Sequence, residues 1–395
     1  MCAGRTEVLM GKLRVVVIGT GNIGGIAVRC LQGRGDVELV GVWSRSRNIG
    51  LDAGLLDTDI SAGVHVTDDV DEILALRPDC ALMALNVRDP LEAQNVNEEW
   101  HVRLLERGIN VVTASDGSLV FPPAHSDQEY VGRLEAAAIK GGATLYANGQ
   151  EPGFVDHMAL LAATMSNTIR RITSYELFNY SMVQSRDEMA LNFGFDEVPE
   201  KHAILEQPGV QLYVWGGPLK NVADKLGYEV ERFEELYEKR VAERDIPVAF
   251  GTIEKGKVAA VRIRTSAFVA GREAIVVEHV NRMCDDIAPE WRKSDTHGCM
   301  RIEIEGDPNI AMECTIGDRG KPEELGYDGY LMTVTRILNA IPYVCAAKPG
   351  LANFRELPLT TPSSAFRSDA TFVDHKILRA VAEGIPRPSD DLSND

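Results

Sequence analysis

The chain is short of positive charge. Only 41 Lys and Arg stand against 59 Asp and Glu in 395 residues, a formal net charge of −18. Polyanions need clustered basic residues, so nucleic acid and an anionic membrane surface are excluded as main partners. The deficit is even, with 13 basic and 20 acidic side chains in residues 1–150 and 28 and 39 in the rest, so neither half is a charged tail. Long apolar runs are missing too. The stretches at 13–19 and 80–85 fall far short of the roughly 18–20 residues that span a bilayer. Met1-Cys2-Ala3-Gly4-Arg5 begins no signal-peptide apolar core, and the expectation is a cytoplasmic protein.

Other absences narrow the chemistry. Seven cysteines (2, 30, 80, 284, 299, 314 and 345) are an odd number with no CxxC spacing, which suits buried thiols in a reducing compartment better than disulfides or a zinc site. No His, Asp or Glu cluster has a metal-ligand spacing, so no metal is expected. The run Asp68-Asp69-x-Asp71-Glu72 lacks the glycine and terminal Glu of a calcium loop and reads as the acidic first turn of a helix. A GxSxG elbow is absent, which removes a serine hydrolase of that type.

What is present is an ordinary globular composition, 45% hydrophobic and 25% charged, long enough for two or three domains. Short apolar runs at 13–18, 37–43, 64–66, 80–85, 110–113 and 143–146 alternate with helical periodicity at 23–32, 70–76, 92–107 and 127–140. Such a β-α repeat buries its strands on both faces and predicts an α/β, doubly wound parallel sheet over residues 1–150. The pattern then changes. Helices are expected at 154–166, 221–226, 232–246 and 329–340, and alternating segments at 257–269, 274–282, 300–305 and 310–316 predict a mainly antiparallel sheet in an α+β domain over 151–341. A Pro-rich stretch at 342–362 leads to a last helix at 369–383, within a C-terminal segment 342–395.

Gly19-Thr20-Gly21-Asn22-Ile23-Gly24 is a GxGxxG directly after the first strand and before the first helix. In that position the first glycine permits a tight turn, the second lets backbone approach a pyrophosphate, and the third lets helix pack on strand. Residues 19 and 21–24 are therefore candidate cofactor contacts. An NAD-preferring site places a carboxylate at the end of the second strand, where this chain has Ser44-Arg45-Ser46-Arg47 and no acid before Asp52. Ser44, Arg45 and Arg47 suit a 2′-phosphate, so NADP(H) is favoured, with NAD(H) the alternative. Leu85 and Asn86 after the fourth strand and Ala114 after the fifth should border the nicotinamide end.

Further motifs carry a family resemblance. They are Gly149-Gln150-Glu151-Pro152-Gly153-Phe154 followed by Asp156, Asn179-Tyr180-Ser181 ahead of Asn192-Phe193-Gly194-Phe195, Asn221 to Gly227, and Lys348-Pro349-Gly350 with Leu357-Pro358. With the Gly19–Gly24 turn, they make the chain resemble the dihydrodipicolinate-reductase-like superfamily, and within it the 2,4-diaminopentanoate dehydrogenase and native amine dehydrogenase branch. The resemblance implies a Rossmann domain, a second domain whose open sheet mediates homodimerisation, a C-terminal segment returning to the first domain, and NAD(P)H-dependent hydride transfer at a carbon bearing oxygen or nitrogen. Amine-active relatives carry a Glu-Glu pair after the fifth strand; by register this chain has Gly117-Ser118 there, and it has Glu151 where relatives commonly have Asn.

Asp116 and Glu151 are therefore the candidate acid-base carboxylates, and Tyr180 a candidate proton donor to a carbonyl oxygen or imine nitrogen. Phe154 and Tyr180 are candidate substrate contacts. His125 and His157 read as structural. Loss of the Glu pair favours a carbonyl or preformed imine over reductive amination with free ammonia. A non-catalytic NADP(H)-binding sensor on the same scaffold is the rival reading.

Overall fold

The computed structural model describes residues 11–85, 87, 90–151, 153–317, 322–363 and 365. Its first unit comprises residues up to Ser115, Gly132–Tyr146 and the segment from Val334; its second comprises Asp116–Val131 and Ala147–Thr333. The loop 116–131, expected within the first domain, thus groups with the second. Its short turns Gly117–Val120 and Pro122–Ala124 pack on a helix of that unit, Val210–Lys225.

In the first unit β1 (Leu13–Ile18), β2 (Val37–Trp43), β3 (Val66–Thr67), β4 (Cys80–Met83), β5 (Asn110–Thr113) and β6 (Thr144–Ala147) alternate with α1 (Asn22–Gln32), α2 (Val70–Ala75), α3 (Pro90–Leu105) and α4 (Gln128–Gly141). Val15 to Ile18 are fully buried, as a strand covered on both faces requires. β1 pairs in parallel with β2 on one side and β4 on the other. The order β3-β2-β1-β4-β5-β6 therefore reverses at β1, which opens a crevice at the carboxyl ends of β1 and β4. Asp69 caps α2 by accepting from the backbone N–H groups of Asp71 and Glu72, so the acidic run is a helix start, as its sequence predicts.

The second unit holds α5 (Val155–Ala163), β7 (Thr168–Asn179), α6 (Arg186–Phe193), α7 (Val210–Lys225), β8 (Arg232–Val241), a small hairpin of β9 (Ile246–Val248) and β10 (Gly251–Ile253), then β11 (Val258–Val269), β12 (Arg272–Arg282), β13 (Gly298–Asp307) and β14 (Ile310–Thr315). α8 (Pro322–Leu338), α9 (Ile341–Cys345) and β15 (Gly350–Ala352) follow, and β15 joins the first unit's sheet in parallel beside β6. The second sheet runs β14-β13-β7-β12-β11-β8. Two expectations need correcting here. Residues 232–246 were expected as a helix, but Arg232–Val241 is the edge strand β8. Its Glu, Lys and Arg favour helices intrinsically; pairing with β11 overrides this, and charge is what a protected sheet edge carries. β7, absent from the expected strands, lies between β12 and β13 and pairs in parallel with β12, so the sheet is mixed.

α5 and α7 cover one face of this sheet. Met158, Ala159, Trp215 and Leu219 pack there against Ile172, Val261, Ile263, Val277 and Met300, each large aliphatic or aromatic side chain contributing about 1.5–3 kcal/mol. The opposite face carries half-buried Arg262 and Arg264 paired with Glu238, Glu273 and Glu278. Cysteines 30, 80, 284, 299, 314 and 345 are free. No helix among the described residues is long and apolar enough to cross a membrane. The helix expected at 369–383 lies outside the described residues.

Candidate functional site

The Gly19–Gly24 turn has the geometry of a phosphate cradle. Gly19 sits at φ +114°, and a Cβ there would meet the Ala84 carbonyl oxygen at 2.4 Å; one on Gly24 would meet the Gly19 oxygen at 2.0 Å. At Gly21 a Cβ would meet nothing within 4 Å. Two glycines are thus demanded by the fold, while the third leaves backbone open to an incoming group. Gly21 is the N-cap of α1 without side-chain capping, and no acid occupies the first turn, so the positive helix end faces outward. These residues fit a dinucleotide pyrophosphate. Asn22 is exposed and Ile23 half-buried at the same turn.

At the end of β2 the buried Ser44 organises the loop. Its Oγ accepts from Thr20 Oγ1 at 3.1 Å and from the Arg47 backbone N–H at 3.3 Å, and Asn48 Nδ2 donates to Thr20 Oγ1 at 3.2 Å. Arg45, Ser46 and Arg47 are left exposed. Arg45 meets Glu92 at 3.6 Å with both side chains more than half exposed, a pairing that contributes about 0–1 kcal/mol and yields readily to a phosphate. The Leu85 N–H donates to Ser115 Oγ at 2.7 Å and the Ala114 N–H to the Met83 carbonyl at 3.2 Å, so neither donor is available to a ligand. Asn86 lies outside the described residues.

Asp116, only 4% exposed, has both carboxylate oxygens occupied. Oδ1 accepts from Ser118 Oγ at 2.5 Å and Oδ2 from the Tyr130 hydroxyl at 2.6 Å. His125 Nδ1 lies 3.0 Å from the Asp127 backbone nitrogen and 3.1 Å from its carbonyl oxygen, and Nε2 lies 3.0 Å from Ser118 Oγ. His125, Ser118, Tyr130 and Asp116 thus form one hydrogen-bonded set. Both Asp116 oxygens are engaged by side chains of its own unit.

Glu151 is the opposite case. The turn that carries it closes at Gly153 with φ +127°, a left-handed conformation that favours glycine, immediately before α5. Both carboxyl oxygens of Glu151 are buried and have no hydrogen-bond partner. Burial, then Glu176 and Asp156, push this carboxyl well above the usual carboxylate range, with a small opposing pull from the Trp215 indole. Burial among other acids thus favours the protonated form of this carboxyl.

Its neighbours form a polar stratum between the sheet and the helices. Period-two alternation puts Glu176 of β7 on the same face as Ile172 and Phe178, and His279 and Asn281 of β12 on the face of Ile275 and Val277. Glu176 Oε1 accepts from the Tyr180 hydroxyl at 2.7 Å and from Asn281 Nδ2 at 3.0 Å, and His279 Nδ1 stands 3.4 Å from it. Asp156 Oδ2 accepts from Asn221 Nδ2 at 2.7 Å. Burial and then the Glu176 charge hold the Tyr180 phenol well above its ordinary range, while burial lowers His279 and keeps it neutral. Trp215 Nε1, His279 Nε2 and Asn281 Oδ1 are buried without partners. Phe154 is half-buried against the same core. The second unit therefore brings Glu151 and Tyr180 to one stratum through Glu176, while Asp116 is held by Ser118 and Tyr130.

Comparisons with known proteins agree with this architecture. Residues 216–371 match the family model described as the 2,4-diaminopentanoate dehydrogenase C-terminal domain. An amine dehydrogenase of Streptomyces virginiae is 29% identical over 355 residues, covering 88% of this chain and 96% of that protein. The 2,4-diaminopentanoate dehydrogenase of Acetoanaerobium sticklandii is 23% identical over 374 residues, covering 89% and 94%. The resemblance to this dehydrogenase branch holds along most of the chain. The solved amine dehydrogenase from Mycobacterium smegmatis shares the fold, with a TM-score of 0.70 at 22% identity over 90% of this chain and 98% of that one.

Sequence reasoning missed Glu176, Trp215, His279 and Asn281. A signal existed for the strand residues. Glu176, His279 and Asn281 are buried polar residues at inward positions shared with Ile172, Phe178, Ile275 and Val277, and such residues need a partner or a task.

Proposed function

We propose that the protein is a nicotinamide-dinucleotide-dependent oxidoreductase, with NADP(H) favoured over NAD(H), that interconverts a C=O or C=N bond of a small substrate with its reduced form. The observation that carries this is the cradle: Gly19 and Gly24 closed against backbone, Gly21 open, and an uncapped α1 N-terminus at the switch point of the sheet. The dinucleotide, when bound, supplies or accepts the hydride. Gly21 and the α1 N-terminus hold its pyrophosphate, while Arg45 and Arg47 face the 2′-phosphate. Glu151 handles the proton at the reacting oxygen or nitrogen, since its buried carboxyl has no competing partner. Tyr180 is engaged by Glu176 and orients it. Asp116 positions the loop after β5. We read the protein as a cytoplasmic homodimer whose second sheet supplies the interface.

Calorimetry with NADPH and NADH tests the reading, followed by NADPH oxidation with a ketone, a cyclic imine, and the ketone plus ammonia. NADPH should bind more tightly, and Arg45→Ala should weaken NADPH about tenfold while leaving NADH nearly unchanged, as expected for loss of a charge-assisted phosphate contact. Binding of neither dinucleotide would end the proposal. Binding without oxidation of any substrate would favour the sensor.

A further inference from the structure

The loop after β2 and the glycine turn after β1 are joined by side chains. Thr20, between Gly19 and Gly21, donates its hydroxyl proton to Ser44 Oγ at 3.1 Å, so toward Asn48 it can only accept, and Asn48 Nδ2 at 3.2 Å supplies the donor. Ser44 Oγ also accepts from the Arg47 backbone N–H at 3.3 Å. Because Arg47 and Asn48 are consecutive, Thr20, Ser44, Arg47 and Asn48 close a ring of three hydrogen bonds and one stretch of backbone. Ser44 accepts twice in it, and its own proton has no acceptor among the described residues.

The rest of the loop is anchored on its other side. The Ser44 N–H donates to the Thr67 carbonyl at 2.9 Å and the Gly50 N–H to the Val66 carbonyl at 2.8 Å, which ties both ends of the loop to β3. Residues 45–48 between these anchors are exposed. Apart from the weak Arg45–Glu92 pair, the Thr20 hydroxyl is the one side-chain group from outside the loop that engages them among the described residues. Asn48 itself sits at φ +61°, in the left-handed region that Asn enters more readily than most residues. The turn and the amide are therefore separable contributions of one residue.

We propose that the Thr20 hydroxyl clasps the loop carrying Ser44, Arg45 and Arg47 to the glycine turn, and thereby sets the preference for a dinucleotide bearing a 2′-phosphate over one bearing a hydroxyl there. The inference rests on the NADP(H) reading and deepens it, since it names a positioning residue that acts through Ser44 and Asn48. The chemistry of the ligand gives the clasp its task. In NADP(H) one ribose carries the pyrophosphate linkage at its 5′ carbon and the extra phosphate at its 2′ carbon, so the two protein segments that receive them must be held at one spacing. An unclasped loop loses its freedom when NADPH binds, whereas a clasped loop has lost it beforehand. NADH has no phosphate to meet the two arginines and gains little from the order.

Calorimetry of the full chain with NADPH and with NADH reads selectivity as the ratio of the two dissociation constants. Thr20→Val keeps the shape and removes the hydroxyl; it should weaken NADPH about tenfold and NADH by less than about threefold. Thr20→Ser keeps the hydroxyl and should hold the ratio within about threefold of the wild type. Asn48→Gly keeps the left-handed turn, removes the amide and should weaken NADPH a few-fold. Hydrogen exchange of the free protein reads the clasp with no dinucleotide present: the Arg47 amide should exchange several-fold faster in Thr20→Val than in the wild type, and Thr20→Ser should match the wild type. Equal weakening of both dinucleotides would mean that Thr20 only shapes the pyrophosphate turn, and would overturn the proposal. An unchanged ratio in Thr20→Val, or a Thr20→Ser variant no better than Thr20→Val, would overturn it as well. The wild-type titrations separate the two failures. A wild type that prefers NADPH, with Thr20→Val keeping that preference, removes the clasp alone; a wild type that binds NADH as tightly as NADPH removes the cofactor reading and the clasp's role with it.

Discussion

Two acids leave the carboxyl edge of one parallel sheet, Asp116 shortly after β5 and Glu151 shortly after β6, and they meet opposite fates. Asp116 is buried with two hydroxyl donors, one on each oxygen. Glu151 is half-buried, with both carboxyl oxygens out of solvent and the Trp215 indole as the one donor near them. By residue type and place along the chain the two are equivalent candidates; the difference lies in what surrounds them. A carboxylate saturated by its own loop stabilises that loop. A carboxyl left without strong donors among other acids favours its protonated form.

The largest effect should separate the two directly. Glu151→Gln should lower the rate of hydride transfer to substrate by about 100-fold or more, the scale of losing a positioned acid or base, while Asp116→Asn should lower it by less than tenfold. Single-turnover NADPH oxidation measures both, and equal losses would erase the contrast. Asp116→Asn should instead show in stability. An amide offers one acceptor where two hydroxyls donate, and the expected cost is about 1–3 kcal/mol in urea unfolding. Tyr130→Phe removes one of those donors and should cost about 1 kcal/mol by the same measurement. A smaller effect sharpens the comparison through pH. The folded Glu151 binds its proton more tightly than the unfolded chain does, so the wild type loses stability as pH rises from the ordinary carboxylate range toward the raised folded value. Glu151→Gln lacks this loss. Its melting temperature should exceed the wild type's by a few degrees at pH 8, and the gap should close toward pH 4.

The parallel half was legible from the chain because its signals are local. Val15 to Ile18 form an unbroken apolar run, and Gly19, Gly21 and Gly24 stand at the spacing that a strand-turn-helix needs. The second half was harder because tertiary pairing decides it. Arg232–Val241 is helix-forming by composition and a strand by its edge pairing with β11. The site divides in the same way. Glu151 and Tyr180 stand in short motifs and were found as candidates. Asn281 is 105 residues from Glu176 and reaches it only because β12 pairs in parallel with β7, an arrangement no local pattern announces. Asp116 was legible as a loop acid and an acid-base candidate, but its burial and its occupation by Tyr130 depend on where α4 begins.

The protonation state of Glu151 is the most direct test. An infrared difference spectrum of wild type minus Glu151→Gln at neutral pH should contain the carbonyl stretch of a protonated carboxyl, and that band should give way to carboxylate bands only as pH is raised. A spectrum showing carboxylate bands alone at neutral pH would contradict the account.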